Sequence, residues 1–222
     1  MSTPEEVLKG LYDETLVGNA PRVLELTEEG LALGMEPQTL LFDALIPSLE
    51  EVGARFERGD FFVPEMLIAG RAMAGAMERL RPLLIEGGIE TIGKFLMGTV
   101  KGDVHDIGKN LVNIMLEGAG FEVIDLGVQV PPEKFVAAIE EHQPDIVGFS
   151  AFLTTTMPMF KANMNALEKA GLRDKVAVMV GGAPVTQEYA DAVGADGYAA
   201  DASACVKRAK DLMTQRRAKV LA

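Results

Sequence analysis

The sequence predicts an α/β protein in which a four-helix bundle precedes a doubly wound, parallel, five-stranded sheet. Up to Glu86-Gly87-Gly88, apolar residues recur only at helical spacing. Beyond that point the pattern changes to short apolar runs, each followed by a helical segment, and the alternation repeats five times. The boundary is therefore placed at 88/89, giving domains 1–88 and 89–222.

The bundle helices are expected at about 4–17, 20–33, 37–58 and 64–84, with turns at Gly18-Asn19, Gly34 and Gly59-Asp60. Pro47 lies inside the third and should kink or divide it, because it lacks an N–H and its ring crowds the preceding turn. Met66, Ala69, Met73 and Met77 form a helical stripe suited to the bundle core. The strands are expected near Phe95 to Thr99, Glu122 to Leu126, Ile146 to Ser150, Val176 to Val180 and Gly197 to Ala199. Helices near 107–118, 132–142, 157–170, 185–193 and 202–215 fill the gaps. Right-handed crossovers make the flavodoxin-like strand order the natural expectation.

Composition narrows the function. The net charge of −12 argues against a nucleic-acid groove. No apolar run approaches the ~20 residues of a membrane span. The start, Met1-Ser2-Thr3-Pro4-Glu5-Glu6, lacks the layout of a signal peptide, so a cytoplasmic protein is expected. Cys205 is the single cysteine, which excludes an intrachain disulfide. With that cysteine and two histidines, His105 and His142, a tetrahedral zinc site of nitrogen and sulfur ligands could hardly be assembled.

Chemistry concentrates in Lys101-Gly102-Asp103-Val104-His105-Asp106-Ile107-Gly108, between the first strand and its helix. One imidazole with a carboxylate two residues away suits a metal that arrives in its own macrocycle and needs one axial ligand. Ser150 ends the third strand and Gly181-Gly182 follows the fourth, so all these residues gather at carboxyl ends of strands, where open α/β sheets bind ligands. Other occupants of such a sheet lack their marks. No Gly-x-Gly-x-x-Gly follows the first strand and no Gly-x-x-x-x-Gly-Lys-Ser/Thr occurs. No Ser/Thr-rich phosphate loop follows Thr99, and Phe149-Ser150 stands where a phospho-receiver would carry aspartate.

The run resembles the Asp-x-His-x-x-Gly signature of cobalamin-binding domains, and the likeness extends through Ser150-Ala151-Phe152-Leu153-Thr154, Gly181-Gly182-Ala183 and Gly197-Tyr198-Ala199-Ala200-Asp201-Ala202. The resemblance implies that His105 is the cobalt ligand and that Asp103 bonds its other ring nitrogen, with Thr156 hydrogen-bonding the aspartate where a relative has serine. Gly102, Val104, Asp106 and Gly108 would complete the loop under the corrin. Ser150, Thr154, Gly181, Gly182 and Ala202 would line the pocket for the nucleotide tail. Phe152 departs from the family, which has leucine in a Ser-x-Leu segment.

The bundle is similar to the helical cap of methyl-transferring corrinoid proteins, as in methionine synthase. Val52-Gly53-Ala54-Arg55-Phe56 and Gly59-Asp60-Phe61-Phe62-Val63-Pro64-Glu65-Met66 carry that likeness, and Phe56, Val63 and Met66 would touch the upper face of the corrin. A cap plus binding domain without barrel or activation domain looks like the corrinoid protein of a three-component system. Such a protein accepts a methyl group on Co(I) from a substrate-specific methyltransferase and passes it to a second one that uses a thiol or a tetrahydropterin. It turns over only with those partners and a reductive activase. His105 would bind and release cobalt in each cycle, and residues 85–93, with Gly87, Gly88 and Gly93, would hinge the cap. The implied cofactor is cobalamin, as methylcobalamin or a related corrinoid. The alternatives are a cobalamin storage or sensor protein without methyl transfer. Methanol, methylamines, betaines, methyl thiols and aryl methyl ethers all remain open as donors, because a partner enzyme recognises the donor.

Overall fold

The computed structural model describes residues 2–87 and 91–220. It divides into two compact units, Met1–Glu90 with Glu117–Gly120, and Thr91–Leu116 with Phe121–Ala222. The expected boundary at 88/89, and Gly88 of the expected hinge, lie outside the described residues.

The first unit is helical. Helix α1 (Pro4–Leu16) begins with a capping box in which the Thr3 hydroxyl accepts from the Glu6 N–H and the Glu6 carboxylate accepts from the Thr3 N–H at 2.8 Å. Val7, Leu11 and Thr15, four apart, form its buried stripe. Helix α2 (Ala20–Ala32) buries Val23, Leu26, Thr27 and Gly30, and a Cβ on Gly30 would come within 2.7 Å of Leu40. The expected third helix is divided, as Pro47 requires: α3 (Pro37–Leu40) runs through a π-helical segment, Leu41–Leu45, into α4 (Ile46–Glu57). Pro47 sits in the first turn of α4, and the widened turn ahead of it accommodates its missing N–H and its ring. Helix α5 (Val63–Glu86) runs through Pro82, where one ladder bond is lost. Met66, Ala69 and Met73 are buried, so the methionine stripe is core for most of its length.

The second unit is a parallel sheet with helices between successive strands. Strands β1 (Lys94–Thr99), β2 (Glu122–Asp125), β3 (Ile146–Ser150), β4 (Ala177–Gly181) and β5 (Gly197–Ala199) lie in the order β2-β1-β3-β4-β5. This is the flavodoxin-like order expected from right-handed crossovers. Helices α6 (Ile107–Gly118), α7 (Pro132–His142), α8 (Pro158–Lys169), α9 (Gln187–Val193) and α10 (Ala202–Val220) follow the strands in turn. The central strands are buried almost end to end, as a sheet covered on both faces demands. Leu96, Val147 and Val178 share a core with Phe135, Phe149 and Phe160, in which Phe135 meets Phe149 edge-on at 4.8 Å. Gly93 is a packing position, since a Cβ there would come within 2.6 Å of Met213 and 3.0 Å of Asp145.

Cys205 is buried on α10, and burial followed by the nearby Asp201 charge pushes its thiol up to about 12. Only the thiolate reacts, so a thiol reagent at pH 8 should leave the folded protein unlabelled over minutes and label it fully in denaturant. Rapid labelling of the native protein would show that this face of α10 opens.

Candidate functional site

The register brings four small strand-end residues into a row. Thr99 pairs with Ser150, Ser150 with Gly181, and Gly181 with Ala199. No bulky side chain stands in this row of strand ends. Gly182, just past β4, has φ +130°, and a Cβ on it would lie 1.8 Å from the Ala151 carbonyl oxygen. Only glycine fits where these two loops touch. Ser150 is half-buried in this row, Thr154 is exposed on the β3–α8 loop, and Ala202 is buried at the start of α10.

Beyond β1 the chain turns at Gly102, whose φ of +84° lets the Asp103 N–H donate to the Val100 carbonyl at 3.1 Å. Asp103 is fully buried. Its Oδ1 accepts from the His105 N–H at 3.0 Å and bonds the His105 ring at Nδ1, 2.7 Å away. Its Oδ2 accepts from the Thr156 hydroxyl at 2.7 Å and from the N–H groups of Phe152 and Leu153 at 2.8 and 3.2 Å. The Thr156 hydroxyl has one proton, and the charged carboxylate claims it over the Leu153 carbonyl at 2.8 Å. Burial alone would raise the Asp103 pKa. The Thr156 hydroxyl, the backbone and ring N–H of His105 and the Phe152 N–H outweigh it and hold the carboxyl well below the usual carboxylate range.

An ionised carboxylate cannot donate, so the network assigns the proton between the pair to Nδ1 of His105. Nε2 then carries the lone pair. The His105 side chain is 42% exposed, and Nε2 makes no hydrogen bond among the described residues. The Thr99 hydroxyl, itself buried, donates to the His105 carbonyl at 3.0 Å and fixes the backbone beneath the ring. Val104, Ile107, Val128, Phe152 and Leu153, all on segments that follow β1, β2 and β3, keep exposed apolar side chains. Phe152 stacks directly on the His105 ring.

The donor set decides what metal such a site fits. Among the described residues no group of three or more His, Cys, Asp or Glu side chains could enclose an ion. One oriented, solvent-facing nitrogen beside an exposed phenyl ring instead fits a metal that brings a ring of its own ligands. A Cβ on Gly108, in the first turn of α6, would meet nothing within 4 Å, so this side of the loop is open to close approach.

The structure thus brings together Asp103, His105 and Thr156, with Gly102, Val104, Asp106 and Gly108 in the same loop or just after it. Ser150, Gly181 and Gly182 gather separately at the ends of β3 and β4. In the helical unit, Phe56 and Val63 are half-buried and Met66 is fully buried. Sequence reasoning missed Thr99, the stacking of Phe152 and the pairing of Lys109. Lys109 is a buried lysine on α6 whose ammonium bonds Asp125, at the end of β2, and Asn110. Asp125 in turn accepts from the Gly127 N–H at 2.8 Å, so the pair braces the β2–α7 loop. That loop reaches the site where the Gln129 N–H donates to the Asp103 carbonyl at 3.0 Å.

A parallel sheet with one oriented histidine beyond its first strand fits a domain that binds a macrocyclic metal cofactor. The chain belongs to the B12 binding domain family, whose model matches residues 93–207, while a second B12 binding domain model matches residues 7–81. Its cofactor is cobalamin or a related corrinoid. The dimethylamine corrinoid protein of Methanosarcina barkeri is 43% identical over 94% of this chain and 98% of its own length. Trimethylamine corrinoid protein 1 of Methanosarcina acetivorans is 39% identical, over 96% of this chain and all of its own. In the crystal structure of the methanol:cobalamin methyltransferase complex of Methanosarcina barkeri, one chain matches with a TM-score of 0.83 at 28% identity, covering 96% of this chain and 85% of that one. No described helix is long and apolar enough to cross a membrane.

Proposed function

We propose that this protein is the corrinoid methyl carrier of a methyltransferase system that draws on a small methylated amine, with dimethylamine first among the candidates. The observation that carries the reading is His105, with Nδ1 committed to a buried carboxylate and Nε2 without a hydrogen bond among the described residues. The donor class rests on the similarity to the dimethylamine and trimethylamine corrinoid proteins. When bound, the corrinoid supplies a nucleophilic cobalt that takes a methyl group from one partner and yields it to the next.

The chain's own work is to bind, orient and keep dry. His105 would hold the metal through Nε2, and Asp103, itself fixed by Thr156, keeps the proton on Nδ1 and the ring in one orientation. Gly102, Asp106 and Gly108 would shape the loop that receives the corrinoid, and Val104, exposed on it, would shield the bound group from water. Ser150, Thr154, Gly181, Gly182 and Ala202 receive the nucleotide tail. Residues 1–88 act as the cap and 89–222 as the binding domain, with Phe56, Val63 and Met66 covering the methyl-bearing side. Partner enzymes supply the rest: an amine-specific methyltransferase, a second methyltransferase using a thiol or tetrahydropterin, and a reductive activase.

The test is reconstitution with hydroxocobalamin, desalting and a visible spectrum beside His105→Ala. Wild type should retain corrinoid with a histidine-ligated spectrum that the variant lacks. Incubation under reducing conditions with dimethylamine and a dimethylamine-specific methyltransferase should then methylate the wild-type cobalt. Retention without methylation would sink the donor assignment; no retention would sink the carrier reading.

A further inference from the structure

Phe152 stands where the family resemblance sets a leucine. Its ring lies against the His105 imidazole with centroids 4.4 Å apart and planes inclined by 27°. The Phe152 side chain is largely exposed, at 53%, so core packing does not explain an aromatic residue there. Its backbone is pinned as well, because the Phe152 N–H donates to Asp103 Oδ2 at 2.8 Å. One residue therefore grips both members of the pair, the carboxylate through its backbone and the imidazole through its ring face.

A single hydrogen bond at Nδ1 leaves an imidazole free to rock about the Nδ1···Oδ1 direction. A flat ring stacked on one face removes that freedom. We propose that Phe152 is a positioning residue for the cobalt-binding imidazole, holding the plane of His105 so that Nε2 stays presented to the metal. The proposal rests on the corrinoid reading above and deepens it. Leucine offers no flat face, so this chain holds its ligand ring more firmly than the leucine-bearing pattern does. Stacking of this kind predicts that Phe152→Leu lowers the ratio of histidine-ligated to unligated cobalt by roughly two- to tenfold, while Phe152→Tyr keeps it near wild type.

Two measurements test this. In the cofactor-free protein, proton NMR should show the His105 ring protons shifted upfield by the Phe152 ring current in wild type and Phe152→Tyr, and unshifted in Phe152→Leu. In the cob(II)alamin-loaded protein, electron paramagnetic resonance should show nitrogen superhyperfine splitting from His105, with its fraction reduced only in Phe152→Leu. No ring-current shift in wild type, an unchanged nitrogen fraction in Phe152→Leu, or an equal loss in Phe152→Tyr would each overturn the proposal. A wild-type ring-current shift with no axial nitrogen signal, or no retained corrinoid, would instead mark the corrinoid reading as the failure and take the proposal down with it.

Discussion

Asp103→Asn should cost about 2–4 kcal/mol of folding stability in the cofactor-free protein, measured by urea unfolding. The two carboxylate oxygens accept from five donors: the backbone and ring of His105, the Thr156 hydroxyl, and the Phe152 and Leu153 N–H groups. An amide has one oxygen and turns an NH2 toward one of these two sets. Whichever way it turns, buried donors face a donor. The effect also has a pH signature. Because the folded pKa lies below the unfolded one, the carboxylate's contribution is fully present above the unfolded value of about 3.9 and is lost as pH falls toward the folded value. The gap between wild type and Asp103→Asn should therefore shrink below about pH 4. A gap that persists unchanged in acid would mean that shape rather than charge decides this site.

Gly182→Ala should destabilise by about 3–5 kcal/mol and abolish corrinoid retention. Both effects come from one atom. A methyl 1.8 Å from the Ala151 oxygen forces the β3–α8 and β4–α9 loops apart by roughly 1 Å or more, in a backbone conformation that L-residues avoid. Gly108→Ala is the contrasting control. Its new Cβ meets nothing within 4 Å among the described residues, so stability should stay within about 1 kcal/mol of wild type. Loss of corrinoid by Gly108→Ala in a protein that folds normally would place the macrocycle against α6. Equal destabilisation by both changes would refute the packing argument.

What was legible in the sequence was mostly local. Asp103 and His105 sit two residues apart on one turn, so their spacing shows the pair before any fold is known. Strand order followed from five alternations and the handedness of crossovers. The division of the third helix followed from Pro47, whereas the π-helical segment before it leaves no mark in residue type. Strand ends shifted by a residue, since pairing decides them: β4 runs Ala177–Gly181 rather than 176–180 because Gly181 pairs with Ser150 and Ala199. β2 stops at Asp125, which turns to Lys109 and Gly127. The least legible parts of the site were backbone groups and partners distant in sequence. The N–H donors of Phe152 and Leu153 have no side-chain signature. Lys109 reads as an ordinary surface helix residue until β1–β2 pairing sets Asp125 beside it.

The Asp103 carboxylate joins chain segments 49 to 53 residues apart. Contacts of such range form only after parallel pairing of β1 with β3, among the slower events in folding. The imidazole is consequently held in its working orientation only once β3 and its following loop are in place. During synthesis, or in a chain truncated before Thr156, the Asp-x-His-x-x-Gly loop would be complete in sequence yet unaligned. A chain that ends before Phe152 carries the whole loop yet lacks three of the five donors that hold the Asp103 carboxylate.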